Sequence, residues 1–199
     1  MASVAVRPVL ADVVWSTEGT SVWVKRLVLL VVGVLALAVA AKIRIPMWPV
    51  PLTMGTFAVL TIGAAYGPRL GLSTILAYLL VGAFGFDVFA GSSAENAGLA
   101  YMMGGTGGYL VGYALAAVAL GAFARRGWDR SMTWMAVAML IGNALIYIPG
   151  LLWLGVLYGW DKPILEWGLT PFLLGDALKL ALAALLVPAI WKLVGNART

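Results

Sequence analysis

The sequence predicts an all-α, polytopic membrane protein with six transmembrane helices and both termini in the cytoplasm. Three observations predict it. The chain of 199 residues is 63% hydrophobic and only 11% charged, where a soluble domain averages about 45–50% apolar and about 25% charged. Its apolar runs are long enough to cross a hydrocarbon layer, which takes about 17–25 residues of helix. Its bases fall in short clusters between those runs. A soluble fold of this size has no interior large enough for so much apolar surface, so lipid is the solvent the composition asks for.

Six runs qualify in chain order: Leu27–Ile45, Leu52–Tyr66, Leu70–Phe86, Gly105–Phe123, Met132–Leu157 and Pro171–Val194. The second is short, and Pro49, Pro51 and Gly55 at its entrance predict a bend or a start below the membrane surface. With the N-terminus inside, Arg7, Lys25, Arg26, Arg69, Arg125, Arg126, Arg130, Lys192 and Arg198 are cytoplasmic, against Lys42, Arg44 and Lys162 outside. Nine against three satisfies the positive-inside rule. Asp87, Glu95, Asp161 and Glu166 then fall outside. Residues 25–199 form one six-helix membrane domain. Residues 1–24 precede it as a cytoplasmic or interfacial segment, either an amphipathic surface helix or a tail. A signal peptide is the wrong reading of Lys25-Arg26 and the run behind it, because the run is too long and Lys42-Ile-Arg-Ile-Pro46 is a poor cleavage context. No internal repeat suggests an inverted-repeat transporter.

The composition also excludes chemistry. There is no cysteine and no histidine, which removes disulfides, thiolate nucleophiles, Cys/His zinc sites and imidazole bases. Eight scattered acids leave little for a metal. A pI near 9.7 suggests nucleic acid at first sight, but the bases follow the loops of a membrane protein rather than one face of a domain. With Arg69 and Arg125-Arg126 they are assigned to topology and to contact with membrane lipids. No nucleic-acid partner, no metal and no cofactor is expected.

Asp176 and Lys179, in Gly175-Asp-Ala-Leu-Lys179, carry the strongest signal. Three apart on the sixth helix, they share a face. A charge at the bilayer centre costs about 2.5–3.5 kcal/mol on insertion scales, so the pair faces a partner or a cavity. It is either a structural ion pair near the outer end of the helix or a ligand site, with Lys179 orienting Asp176 while Asp176 accepts hydrogen bonds. The outer loop Asp87–Gly104 and Thr106-Gly-Gly-Tyr109 behind it are rich in glycine, which permits close backbone approach. The free N–H groups at that helix start would suit an anion; a flexible loop and a close-packed helix start are the alternative. No Gly-Lys-Ser/Thr follows, so this is not a nucleotide-binding P-loop. The loop Ile43–Thr53, with Pro46-Met-Trp-Pro-Val-Pro51, reads as a stiff apolar lid or as a membrane anchor built on Trp48. Asn143 and Tyr147 in the fifth span read as cavity lining or as packing. Gly33, Ala36 and Ala40 form a small-residue stripe on the first helix, where a neighbouring helix can approach.

Taken together, these residues resemble the BioY family, the biotin-binding S components of energy-coupling factor (ECF) transporters in prokaryotes. The resemblance rests on Pro49-Val-Pro-Leu-Thr53, Gly67-Pro-Arg69, Phe89-Ala-Gly91 and Gly104-Gly-Thr-Gly-Gly-Tyr109. Gly142-Asn143 with Ile146-Tyr147, and Gly175-Asp176 with Lys179, complete it, in order over about residues 27–194. The resemblance implies a six-helix protein of the prokaryotic, bacterial-type inner membrane with an outward pocket for biotin. It implies that Asp176 accepts a ureido N–H and that Lys179 holds Asp176 or donates to the ureido oxygen. It places Ser92, after Phe89-Ala-Gly91, against the ligand, where many relatives carry glycine or asparagine. Thr106, Tyr109 and nearby backbone N–H groups are the candidates for the biotin carboxylate, and Trp48 for the lid. Gly105 stands where the family usually has proline, implying a looser loop. Ala36 and Ala40 would dock the transmembrane coupling subunit, which connects to two ATPase subunits; a homo-oligomer acting alone is the other arrangement. The chain has no Walker motif and is not expected to be an enzyme. A transporter for another small vitamin and a structural or assembly protein remain as alternatives, and a membrane hydrolase or lipid transferase is argued against by the lack of His, Cys and a second carboxylate near Asp176.

Overall fold

The computed structural model describes residues 7–15, 21–93 and 96–196. Arg198 and Glu95, assigned above to sides of the membrane, lie outside them, as do parts of the segment 1–24. Short helix α1 (Leu10–Val14) is followed by α2 (Val22–Lys42), strands β1 (Arg44–Ile45) and β2 (Leu52–Thr53), and α3 (Gly55–Ala83). Then come α4 (Gly98–Met102), α5 (Gly107–Arg125), α6 (Met132–Tyr158), α7 (Ile164–Gly168) and α8 (Leu173–Asn196). Among the described residues, five helical segments are long and apolar enough to cross a membrane.

One of the five is a hairpin. Within α3 the backbone leaves helical geometry at Gly67 (φ 78°, ψ 175°), a region open essentially only to glycine. Pro68 then starts the second arm, where its missing N–H is no loss. A Cβ on Gly71 would sit 3.3 Å from Gly63 Cα. In a straight helix those residues are about 12 Å apart, so the arms fold back on each other. The runs expected from Leu52 and from Leu70 therefore form the two arms of one helical segment, joined without a loop at the Gly-Pro-Arg turn. The expected first span began late and ended late: α2 starts at Val22 and stops at Lys42, and residues 43–45 leave it for the strand pair.

The hairpin α3 packs against α2 and α5, α5 against α6, and α6 against α8. Close approach depends on glycine where α5 crosses α6: a Cβ on Gly112 would meet the Ile146 Cα at 2.6 Å. The surface is inverted relative to a soluble protein. Leu27, Val31, Leu35 and Val39 on α2 and Leu174, Leu178 and Leu185 on α8 all face outward, as lipid-facing positions do. The small-residue stripe on α2 divides: Gly33 is buried against Thr74 and Tyr66, whereas Ala36 is exposed and Ala40 half-buried. Within residues 1–24, Val9, Leu10 and Ala11 are buried, and α1 packs on α3 and α8 rather than hanging free.

Candidate binding site

At the end of the bundle opposite the Gly67 turn, the chain between α2 and α3 folds into a small hairpin. Arg44 pairs with Thr53 and Ile45 with Leu52, antiparallel. The three prolines stiffen this loop, which bends at residues 48–50. It lies over the glycine turn before α5: a Cβ on Gly105 would stand 3.0 Å from the Pro49 carbonyl oxygen. The expectation of a looser loop at Gly105 is corrected here, because the missing side chain is filled by the Pro49 backbone. Trp48 packs edge-on against Tyr158 and Trp167.

Beneath this loop is a narrow cavity of about 50 Å³, below the about 300–1,000 Å³ usual for small-molecule sites. Val50, Pro51, Leu52 and Thr53 form its roof. Tyr78, Phe89, Tyr101, Tyr109, Tyr113, Tyr147 and Phe172 give aromatic walls, and Thr56, Asp176 and Lys179 one polar end. Asp176 and Lys179 are 6% and 8% exposed, which a buried ion pair tolerates only when its remaining atoms are bonded. Those bonds are present. Lys179 Nζ donates to Asp176 Oδ1 and to Thr56 Oγ1, both at 3.0 Å. The Tyr147 hydroxyl donates to Asp176 Oδ2. Tyr109 donates to the Gly168 carbonyl at 2.7 Å, tying α5 to α7.

Of the residues singled out from sequence, Asp176, Lys179, Tyr147, Thr106 and Tyr109 meet around this cavity. Trp48, Ser92 and Asn143 are not in its wall. Ser92 is a brace. Its Oγ donates to Asp87 Oδ1 at 2.6 Å and accepts from the Phe89 N–H at 3.1 Å. Lys42, at the end of α2, donates to the same Asp87 oxygen at 2.5 Å and to the Phe89 carbonyl at 2.8 Å. These bonds from Lys42 and Ser92 hold the Asp87 carboxyl below its usual range. The brace presents Phe89 to the cavity, stacked on Tyr101 and edge-on to Tyr78. Asn143 sits on α6 four residues before Tyr147, and its buried Oδ1 has no hydrogen-bond partner among the described residues.

Thr53, Thr56 and Tyr113 were missed from sequence. Tyr113 lies one turn beyond Tyr109, so i, i+4 spacing on α5 already placed both on one face. Thr56 carried no such signal, because its partner Lys179 is 123 residues away.

Comparison with known proteins follows the same lines. The sequence model of the BioY family matches residues 12–196. A probable biotin transporter BioY of Pyrococcus horikoshii is 36% identical over 159 residues, covering 80% of this chain and 90% of that one. The biotin transporter BioY of Thermotoga maritima is 32% identical over 157 residues, covering 79% and 90%. A crystal structure of the S-component for biotin from an ECF-type ABC transporter superposes with a TM-score of 0.72 at 23% identity, over 85% of this chain and 92% of that one. This last likeness is one of fold.

Proposed function

The chain belongs to the BioY family, and from that premise we propose that it captures biotin as the substrate-specific component of an ECF-type vitamin transporter. The observation that carries the reading is the buried Asp176–Lys179 pair at the polar end of an aromatic cavity. Biotin has a ureido head, a fused apolar ring system and an anionic tail. Each carboxylate oxygen of Asp176 accepts one protein bond and retains capacity for a ureido N–H. Two of the three Lys179 protons are used within the chain, and the third, without a partner among the described residues, would serve the ureido oxygen. The aromatic walls bury the rings. Thr106 stands on the same cavity for the tail carboxylate. Trp48 acts one layer above, weighting the lid, and Ser92 acts through Phe89 rather than on the ligand.

The hairpin at Gly67 supports six crossings rather than five. With the nine-to-three charge bias, it supports both termini in the cytoplasm and a cavity opening outward in a prokaryotic cytoplasmic membrane. The outward Ala36 and half-buried Ala40 on α2 support docking of a transmembrane coupling subunit, through which two ATPase subunits would drive release. This chain binds and presents the vitamin and performs no covalent chemistry on it.

Equilibrium binding of biotin to the purified protein tests the reading, with thiamine and riboflavin as competitors. Tight biotin binding that neither competitor displaces is expected. Binding no better than that of the other two vitamins would overturn it. Uptake by cells with and without coupling subunits then tests the partners.

A further inference from the structure

A second concavity lies at the opposite end of the bundle, where the Gly67 turn, the start of α2 and the end of α5 converge. Its volume is about 990 Å³. Lys25 and Arg26 enter it from α2, Arg69 from the hairpin turn, and Arg125 and Arg126 from α5; Asp12 of α1 is the one carboxylate in its described wall. That carboxylate is already used, by Arg125 at 2.6 Å. Lys25 is 7% exposed and donates to the Trp15 carbonyl at 2.6 Å. Arg26 lies over the Trp23 ring, 5.6 Å from its centroid. Arg69 and Arg126 are exposed, and neither has a carboxylate partner among the described residues. Among the described residues, five cations against one acid is more charge than orientation in the membrane requires at one spot.

We propose that this cleft binds the phosphate headgroup of an anionic phospholipid. Charge supplies the headgroup chemistry, since basic pockets between membrane helices recognise such groups. Two further features favour a lipid over a soluble phosphate. The cleft wall carries apolar Leu29, Leu70 and Ala122 beside the cations. The cleft also runs onto α2, whose Leu27, Val28, Val31 and Val32 face outward and offer acyl chains a continuous apolar track. A soluble anion has no use for that track. Under the orientation proposed above, the site lies in the inner leaflet, but its binding chemistry does not depend on that orientation or on biotin.

The test uses the full chain, delipidated in detergent and returned to bilayers of phosphatidylcholine containing a minor fraction of phosphatidylglycerol. Co-purified lipid is counted by mass spectrometry. Phosphatidylglycerol should be enriched over its bilayer fraction. Arg69→Ala with Arg126→Ala should cut that enrichment roughly tenfold or more, at about 1 kcal/mol per cation. Lys192→Ala, at the same end but outside the cleft, should leave it unchanged. Retained biotin binding shows that the variants are folded; should the double variant not fold, Arg126→Ala alone is read against the same control. Equal loss in the Lys192 variant would mean general surface charge and overturn the site. So would equal enrichment of phosphatidylcholine. Displacement of the lipid by millimolar inorganic phosphate would overturn the lipid as occupant.

Discussion

Lys179 Nζ reaches Thr56 Oγ1 at 3.0 Å, joining α8 to the first arm of the α3 hairpin across 123 residues of sequence. The contact sits at the polar end of the cavity and aims an ammonium that also serves Asp176. Thr56 is thus a positioning residue for the proposed ligand pair. Thr56→Val keeps the shape and removes the acceptor. A hydrogen bond to a charged group contributes about 1.5–3 kcal/mol, so biotin affinity should fall roughly tenfold or more in calorimetric titration. An unchanged affinity would mean that Asp176 alone fixes Lys179.

Asp176 separates a binding role from a structural one. Asp176→Asn leaves Lys179 buried without its counter-charge, a loss of about 3–5 kcal/mol, and replaces one of the two accepting oxygens by an NH₂ donor, leaving a single neutral acceptor. Biotin binding should fall by more than a hundredfold. Tyr147→Phe removes only the hydroxyl that supports Asp176 and should weaken binding about tenfold. Both residues act through one carboxylate, so the double variant should be little worse than Asp176→Asn alone, a non-additivity read from a double-mutant cycle. Survival of biotin affinity alongside a sharp drop in melting temperature would make the pair a packing lock.

These two residues also show what was legible in advance. Asp176 and Lys179 declared themselves because a charge inside an apolar run has few innocent explanations, and their spacing of three put them on one face. Helices were legible for the same reason, since hydropathy reports burial in lipid directly. The break between Tyr66 and Leu70 was legible at Gly67-Pro-Arg69; that the two arms join there without a loop was not, because a gap in hydropathy does not report how tightly a turn closes. Ser92 was misplaced because the sequence identifies a polar residue in a binding loop but not which way it points; Asp87 and the Phe89 N–H claimed it. Thr56 was invisible, its role arising only from a partner on another helix.

The brace of Lys42, Asp87 and Ser92 holds Phe89 at the cavity wall, and it is built on an exposed ion pair. Such pairs contribute about 1 kcal/mol or less, enough to change how fast a wall opens. Lys42→Met should raise the biotin dissociation rate about two- to fivefold, with little effect on the association rate. Asp87→Asn should do the same, and the double variant should add nothing. Raising the salt concentration should narrow the difference from wild type, since exposed pairs are screened. Stopped-flow displacement of a fluorescent biotin measures each rate.

Asp129 gives a pH dependence of stability at the other end. It lies in the turn between α5 and α6, 1% exposed, and accepts from the Trp191 indole at 2.6 Å, with its second oxygen unpartnered among the described residues. Burial pushes its carboxyl up to about 6 from an ordinary 3.8. The folded state then holds a proton that the unfolded chain releases between those values, so stability falls as pH rises through that window. Melting temperature should be higher near pH 4 than near pH 7. Asp129→Asn keeps the acceptor for Trp191, so it should flatten this slope and raise the melting temperature at pH 7. A slope unchanged in Asp129→Asn would assign it to other carboxyls.

Gly67 is where α3 turns back on itself. A Cβ there meets nothing closer than 3.4 Å, so Gly67→Ala fails through backbone strain, about 1–3 kcal/mol for a residue forced to such angles. Gly121 is the steric counterpart: a Cβ on it would lie 2.3 Å from Pro68 N, and Gly121→Ala must push α5 off the turn. Both variants should lower the melting temperature in detergent and the yield of folded protein, Gly121→Ala more, because a backbone clash cannot be relieved by a rotamer. The cavity lies at the far end of the same hairpin. Biotin affinity of whatever protein remains folded should therefore stay within about threefold of wild type, a shift of about 0.7 kcal/mol. A Gly67→Ala protein of unchanged stability would show that the turn tolerates a side chain and that the reversal is held by the packing of α5 alone.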